Sequence, residues 1–346
     1  MSFLTVEEED KVLRYYVGID GGATKTAVCA ASIDNSSLCY AKTSGSSWRE
    51  HGIRKVVQNL REAVDSLMVE GGGQVAGMAM GLPCHGESAE GDGVLDQAIR
   101  EEFAGIPIYF TNDVEVGWAG SMALAPGINI VAGTGAIAFG KDRHGQTARS
   151  GGWSEFFGDE GSCYWIGRKV MGLFSKQADG RMPRDELYAT IRRELNIQND
   201  FSFIDLIHSQ YIGYRKQVAS LQFLAEKAAL AGSPSARVLY SDAVYELCLL
   251  VDAISSKLDF SGKPFYVSYT GGLFKAGDLV LPEFSREIEK RGGKLSAPRF
   301  SPMEGAMLLA FQYFYPDGLE QILKIMETQK GELKYESYLQ RDSRYI

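Results

Sequence analysis

The chain has 346 residues, 45% of them apolar and 23% charged, with a formal net charge of −8. Two cores suit that length better than one, and the acidic balance argues against a nucleic-acid partner. No apolar run approaches membrane-spanning length and the start, with Glu7-Glu8-Glu9-Asp10, does not read as a signal peptide, so no membrane role and a cytoplasmic location are expected.

After that acidic leader, residues 14–31 read as a strand hairpin, followed by a short strand or turn at Leu38-Cys39-Tyr40. Ile53, Val56, Val57, Leu60, Val64 and Leu67 recur at helical spacing, which predicts an amphipathic helix over 52–69, stopped by Gly71-Gly72-Gly73. Residues 75–82 read as a buried strand ended by Pro83, 93–104 as a helix, and 106–110 as a strand that delivers Thr111-Asn112-Asp113. Asp113 is thereby placed at the C-terminal end of a strand, where open α/β sheets hold ligands. The pattern then restarts. A hairpin over 128–140 leads to a glycine-rich segment over 151–162, a helix opening near Cys163-Tyr164, and a largely helical stretch over 165–258. A strand over 265–269 ends in Thr270-Gly271-Gly272, and a helix starts at Gly305. This repetition predicts an α/β protein of two related lobes with a cleft between them.

Both hairpins turn on glycine. The first runs Gly18-Ile19-Asp20-Gly21-Gly22-Ala23-Thr24-Lys25-Thr26 and the second Ala132-Gly133-Thr134-Gly135-Ala136. Glycines let a backbone turn tightly and bring its N–H groups close to an anion. The first is not a P-loop, because Ala23 stands where that loop needs glycine and a strand follows instead of a helix. Two such loops with an acidic residue between them, Asp113, suggest phosphates gripped from two sides. The five cysteines, odd in number and without CxxC spacing, read as free thiols; His51, His85, His144 and His208 show no metal spacing.

The segment Gly151-Gly152-Trp153-Ser154-Glu155-Phe156-Phe157-Gly158-Asp159-Glu160-Gly161-Ser162 closely resembles the GGW…GDEGS signature of N-acetylglucosamine kinases and their relatives in the BadF/BadG/BcrA/BcrD ATPase group. The first hairpin turn resembles that group's phosphate-1 motif, Gly133-Thr134-Gly135 its phosphate-2 motif and Thr270-Gly271-Gly272 its adenosine motif, over about residues 16–312. The resemblance implies two ribonuclease-H-like, actin-like ATPase lobes closing on ATP and Mg²⁺. Residues 1–118, joined by a C-terminal helix over 316–346, are expected to form one lobe, and residues 119–315, with a helical insertion, the other.

The resemblance also implies roles. Asp20 would hold magnesium through water; Gly21, Gly22, Thr24 and Lys25, with Gly133, Thr134 and Gly135, would hold phosphates; Gly271 and Gly272 would admit the adenosine. Asp113 matches the general base that takes the proton of the attacking sugar hydroxyl. Gly152, Trp153, Ser154 and Asp159 match the sugar-contacting segment, with Ser46, Trp48, Ala136 and Ile137 as further substrate positions. Two of these depart from the pattern: Ser46 and Ile137 stand where the family carries sugar-facing asparagines. A sugar site discriminates through such groups, so N-acetylglucosamine itself is expected to be a poor substrate beside another amino or modified sugar. A homodimer is the family expectation. The competing readings are an ATPase activator of an iron–sulfur dehydratase or reductase, which needs a cluster-bearing cysteine pair, and a non-catalytic sugar-binding regulator.

Overall fold

The computed structural model describes residues 12–22, 25–83, 85–86, 89–260 and 264–330. Its first sheet is built on β1 (Leu13–Gly21), which pairs antiparallel with β2 (Lys25–Ser32), itself antiparallel to β3 (Ser37–Ser44). On the other side β1 runs parallel to β4 (Gly73–Leu82), and β4 parallel to β5 (Ile108–Asn112), giving the order β3-β2-β1-β4-β5. The strands at the centre read as near-continuous apolar runs because both faces are covered. One face packs Val17, Ile19, Met78 and Met80 against Val56, Leu60, Val64 and Leu67 of helix Ile53–Gly71. On the other, helix Pro302–Phe314 crosses β1 and packs on helix Asp113–Met122. Gly18 permits that crossing, since any side chain there would meet the Met307 backbone.

The second sheet repeats the first strand for strand. β6 (Gly127–Ala132) is antiparallel to β7 (Ala136–Lys141), and β7 to β8 (Thr147–Gly151). β6 is parallel to β9 (Phe265–Thr270), and β9 to β10 (Gly293–Ser296). The order β8-β7-β6-β9-β10 matches β3-β2-β1-β4-β5 in both sequence and direction. Six helices from Cys163–Ala178 to Pro234–Ser255 fill the connection between β8 and β9. Their apolar faces, including Ile166, Val170, Val244, Leu247, Val251 and Ile254, join Ile128, Ile130 and Ala138 in one core. Burial of each such side chain contributes about 1.5–3 kcal/mol before entropy is counted.

The chain divides at 124/125 and 299/300 rather than at 118/119 and 315/316. A cut at 118 would break the buried helix Asp113–Met122. A cut at 315 would detach helix Pro302–Phe314 from β1 and from helix Asp113–Met122, which it contacts through Gly305. Of the expected C-terminal helix, Leu319–Lys330 is helical, and residues 331–346 lie outside the described residues. Among the described residues no helix is long and apolar enough to cross a membrane. Cys29, Cys39, Cys163 and Cys248 are free thiols.

Candidate active site

In the first unit β1 ends on Asp20 and Gly21, with Asp20 opposite Ala27 of β2 and Gly81 of β4. The hairpin closes with the Gly22 N–H donating to the Lys25 carbonyl at 3.0 Å, and the Ser46 N–H donates to the Gly22 carbonyl at 2.9 Å. Gly21 is buried beneath this layer; a side chain there would strike the Ser46 hydroxyl and lie 2.8 Å from the Gly81 carbonyl. Ser46 is buried and its hydroxyl has no hydrogen-bond partner. It props the first glycine turn from below. Trp48 packs against the core of this unit, with the Arg49 guanidinium 5.6 Å from its ring. Thr24 lies outside the described residues.

β5 ends at Asn112, whose side chain accepts the Glu115 N–H at 2.8 Å and caps helix Asp113–Met122. Asp113 is therefore the first residue of that helix and exposed. Behind it the buried Glu115 carboxylate accepts from the Thr111 hydroxyl and, at 3.2 Å, from the Tyr109 hydroxyl. Burial pushes the Asp20 carboxyl up to about 7; the negative charge of Asp113 adds to this, and Lys25 opposes it. Asp20, Asp113 and Lys25 thus form one electrostatic group. A divalent cation fits it, since it would offset the charge that these acids repel. No group of three or more His, Cys, Asp or Glu side chains forms a metal cage among the described residues. That suits Mg²⁺, which keeps waters and takes phosphate oxygens alongside one or two carboxylates.

The second unit carries the other glycine turn. Gly133 donates its N–H to the Gly135 carbonyl at 2.9 Å, and the Cys163 N–H donates to the Gly133 carbonyl at 2.9 Å. Cys163 opens helix Cys163–Ala178, capped by the Ser162 hydroxyl, so this helix presents its positive end to the turn. Burial pushes the Cys163 thiol up to about 12, which leaves it no nucleophilic role at neutral pH. The N–H groups of Thr134 and Gly135 have no partner among the described residues, which leaves them available to an anion. Gly271 has φ of 106° and a side chain there would strike the Ala132 carbonyl, so no other residue fits without strain. Gly133 and Gly272 are different. The nearest atom to a side chain at Gly133 would be the Gly272 nitrogen at 3.8 Å, and at Gly272 the Cys163 sulfur at 4.0 Å. A side chain at either would make only ordinary van der Waals contact, so neither glycine is required by close packing within the protein.

The signature segment folds onto the same turn. Asp159, with φ of 60° and 4% exposed, accepts the Ala136 N–H at 3.1 Å through one oxygen and is paired through the other with the Arg215 guanidinium. Gly152 donates to the Ala136 carbonyl at 2.9 Å, and Ile137 lies against it. Ser154 accepts the Phe156 N–H at 3.3 Å, and Trp153 is 76% exposed. The structure therefore gathers Gly133, Thr134, Gly135, Ala136, Ile137, Gly152 and Asp159 with Gly271 and Gly272, and separately gathers Asp20, Gly21, Gly22, Lys25, Ser46 and Asp113.

Residues 17–310 match the BadF/BadG/BcrA/BcrD ATPase family. The chain belongs to that family. Two curated proteins are similar to this BadF/BadG/BcrA/BcrD member along most of their length. One, 28% identical over 79% of this chain and 90% of its own, is an N-acetylmuramic acid/N-acetylglucosamine kinase of Clostridium acetobutylicum. The other, 26% identical over 85% of this chain and 97% of its own, is an N-acetyl-D-glucosamine kinase of Dictyostelium discoideum. A solved structure of a candidate N-acetylglucosamine kinase from Chromobacterium violaceum shares the fold, with a TM-score of 0.68, 24% identity, and coverage of 86% of this chain and 99% of that one.

Arg215 escapes sequence reading. It lies 56 residues beyond Asp159 in an ordinary helical stretch, and only the packing of the insertion brings it to the signature segment. Glu115 escapes likewise, since its partners Thr111 and Tyr109 are visible only once β5 and its helix are joined.

Proposed function

We propose that the protein transfers the γ-phosphoryl group of ATP to a hydroxyl of an amino sugar or a modified amino sugar. The observation that carries this reading is the hydrogen bond from the Ala136 N–H to Asp159, which fastens the sugar-kinase signature to the exit of the glycine turn assigned to phosphate. The names of the curated relatives support the same substrate class.

Bound Mg²⁺, held through water by Asp20, would neutralise charge on the β- and γ-phosphates. Gly21, Gly22, Thr24 and Lys25 would line the phosphates from the first hairpin, and the Thr134 and Gly135 N–H groups from the second. Gly271 and Gly272 would let the adenosine lie against the chain. Asp113 would accept the proton of the sugar hydroxyl as its oxygen bonds the γ-phosphorus and the bond to the ADP oxygen breaks. Gly152, Trp153, Ser154 and Asp159, with Ala136 and Ile137, would form the sugar side. Ser46 and Trp48 would act from beneath, through the first turn and its flanking core. Positioning supplies most of the rate and the base a smaller part.

An ADP-release screen over glucose, glucosamine, N-acetylglucosamine and N-acetylmuramic acid tests the reading. At least one amino sugar should raise ADP release well above the rate with ATP and Mg²⁺ alone. Equal release with every sugar would contradict it and favour an ATPase activator.

A further inference from the structure

Asp159 matches a position expected to accept hydrogen bonds from sugar hydroxyls, yet both its oxygens are engaged. One takes the Ala136 N–H and the other takes Nη2 of Arg215. With 4% of its side chain exposed, Asp159 faces protein rather than open space. Arg215 is the exposed partner. Its side chain is 42% accessible, and its Nη2 would lie 2.8 Å from a side chain on Gly135, so the guanidinium is laid directly on the second glycine turn. Its Nε is 3.7 Å from a Glu155 carboxylate oxygen, which leaves Nη1 without a hydrogen bond among the described residues.

From this arrangement we infer that Arg215 is a further polar sugar-contacting residue of this site, and that Asp159 and Glu155 hold it in place. The inference deepens the proposed kinase reading and rests on it. A guanidinium carries donors only, in a rigid fork, so its ligand is an acceptor oxygen on a sugar substituent: an acyl carbonyl or a carboxylate. A free ammonium on the sugar would be repelled at the same place. The two positions where the family carries asparagine support this assignment. Ile137 is apolar and offers no donor to the sugar, and Ser46 is buried under the first turn. Arg215 enters from the helical insertion, a different part of the chain, and supplies one. Gly135 is required for this, because any side chain there would collide with the Arg215–Asp159 pair.

The test measures steady-state KM for sugar and for ATP in the parent, Arg215→Gln and Arg215→Lys, with glucosamine, N-acetylglucosamine and N-acetylmuramic acid. Loss of a hydrogen bond to a charged group corresponds to about 10–100-fold in affinity. Arg215→Gln should raise the sugar KM by about that factor while the KM for ATP stays within about twofold. The preference for N-acetylated sugars over glucosamine should shrink by about tenfold. Arg215→Lys keeps the ion pair with Asp159 and should melt with the parent, yet still show a raised sugar KM, because the fork is gone. A ratio of N-acetylmuramic acid to N-acetylglucosamine that falls in both variants identifies the acceptor as a carboxylate, and an unchanged ratio identifies the acyl carbonyl. A raised KM for ATP with the sugar KM unchanged would overturn the inference, as would an unaltered preference among the three sugars. Absence of sugar-dependent ADP release in the parent would overturn the kinase reading itself, and this inference with it.

Discussion

The two units share one strand order and direction, yet their glycine turns are electrostatic opposites. The β1–β2 turn sits beside two carboxylates, Asp20 and Asp113; burial of Asp20, and after it the negative charge of Asp113, push the Asp20 carboxyl up to about 7. The β6–β7 turn is braced on every side by the chain itself: the Gly133 N–H is spent internally, the Ala136 N–H goes to Asp159, and Arg215 lies over Gly135. One turn leaves negative charge for a ligand or cation to balance, while the other is complete and offers donors. The same topology thus carries two unlike turns, because the residues at the strand ends and in the connections differ.

The largest effect expected from breaking this contrast is at Asp113. Asp113→Asn would remove the proposed proton acceptor and the charge that adds to the effect of burial on Asp20, and turnover should fall about 10²–10⁴-fold. Steady-state kinetics with saturating ATP checks it; turnover within about threefold of the parent would remove Asp113 from the chemistry. The second turn can be probed through glycines of opposite kind. Gly271→Ala forces a side chain into a positive-φ position against the Ala132 carbonyl and should cost about 1–3 kcal/mol of stability. Gly133→Ala meets nothing closer than 3.8 Å, so its melting temperature should match the parent while the KM for ATP rises about tenfold. Thermal melts and nucleotide titration of the pair separate the scaffold from the ligand cradle. A Gly133→Ala protein that binds nucleotide normally would show that the open space is not used.

The smallest effect concerns Asp20 and is read as stability against pH. The folded chain holds this proton up to about pH 7, whereas an unfolded aspartate releases it near its ordinary value of 3.8. The folded state therefore binds more protons between these values. Asp20 contributes its stabilisation fully below about pH 4 and loses it as pH rises through 7. Asp20→Asn should raise the melting temperature at pH 8 by about 2–4 °C for each kcal/mol relieved, with no gain at pH 4. Equal shifts at both pH values would show that Asp20 is not held in this state.

Much of the architecture was legible because the apolar runs of β1, β4, β6 and β9 and the 3.6-residue period of helix Ile53–Gly71 are strong local signals. Both glycine turns were legible for the same reason. Strand β8, with the sequence Thr-Ala-Arg-Ser-Gly, carries no apolar alternation and was not read; pairing with β7 alone makes it a strand. Helix Asp113–Met122 was missed because it is buried almost throughout and shows no amphipathic period. The misplaced lobe boundary followed from that omission. In the site, Asp113 was proposed from its place at a strand end, and the role of Asp20 from the resemblance of the first turn to a phosphate motif. The engagement of Asp159 was not, since its partner comes from 56 residues away and no spacing rule connects them.

The most direct test of the account is to quantify the products when ATP, Mg²⁺ and the best amino sugar of the screen are incubated with the parent protein. Mass spectrometry for the sugar phosphate, run beside an ADP assay, reads both halves of the reaction. The account predicts sugar phosphate and ADP in a one-to-one ratio, with no ADP above background when sugar is omitted. ADP accompanied by inorganic phosphate, with no phosphorylated sugar, would contradict it.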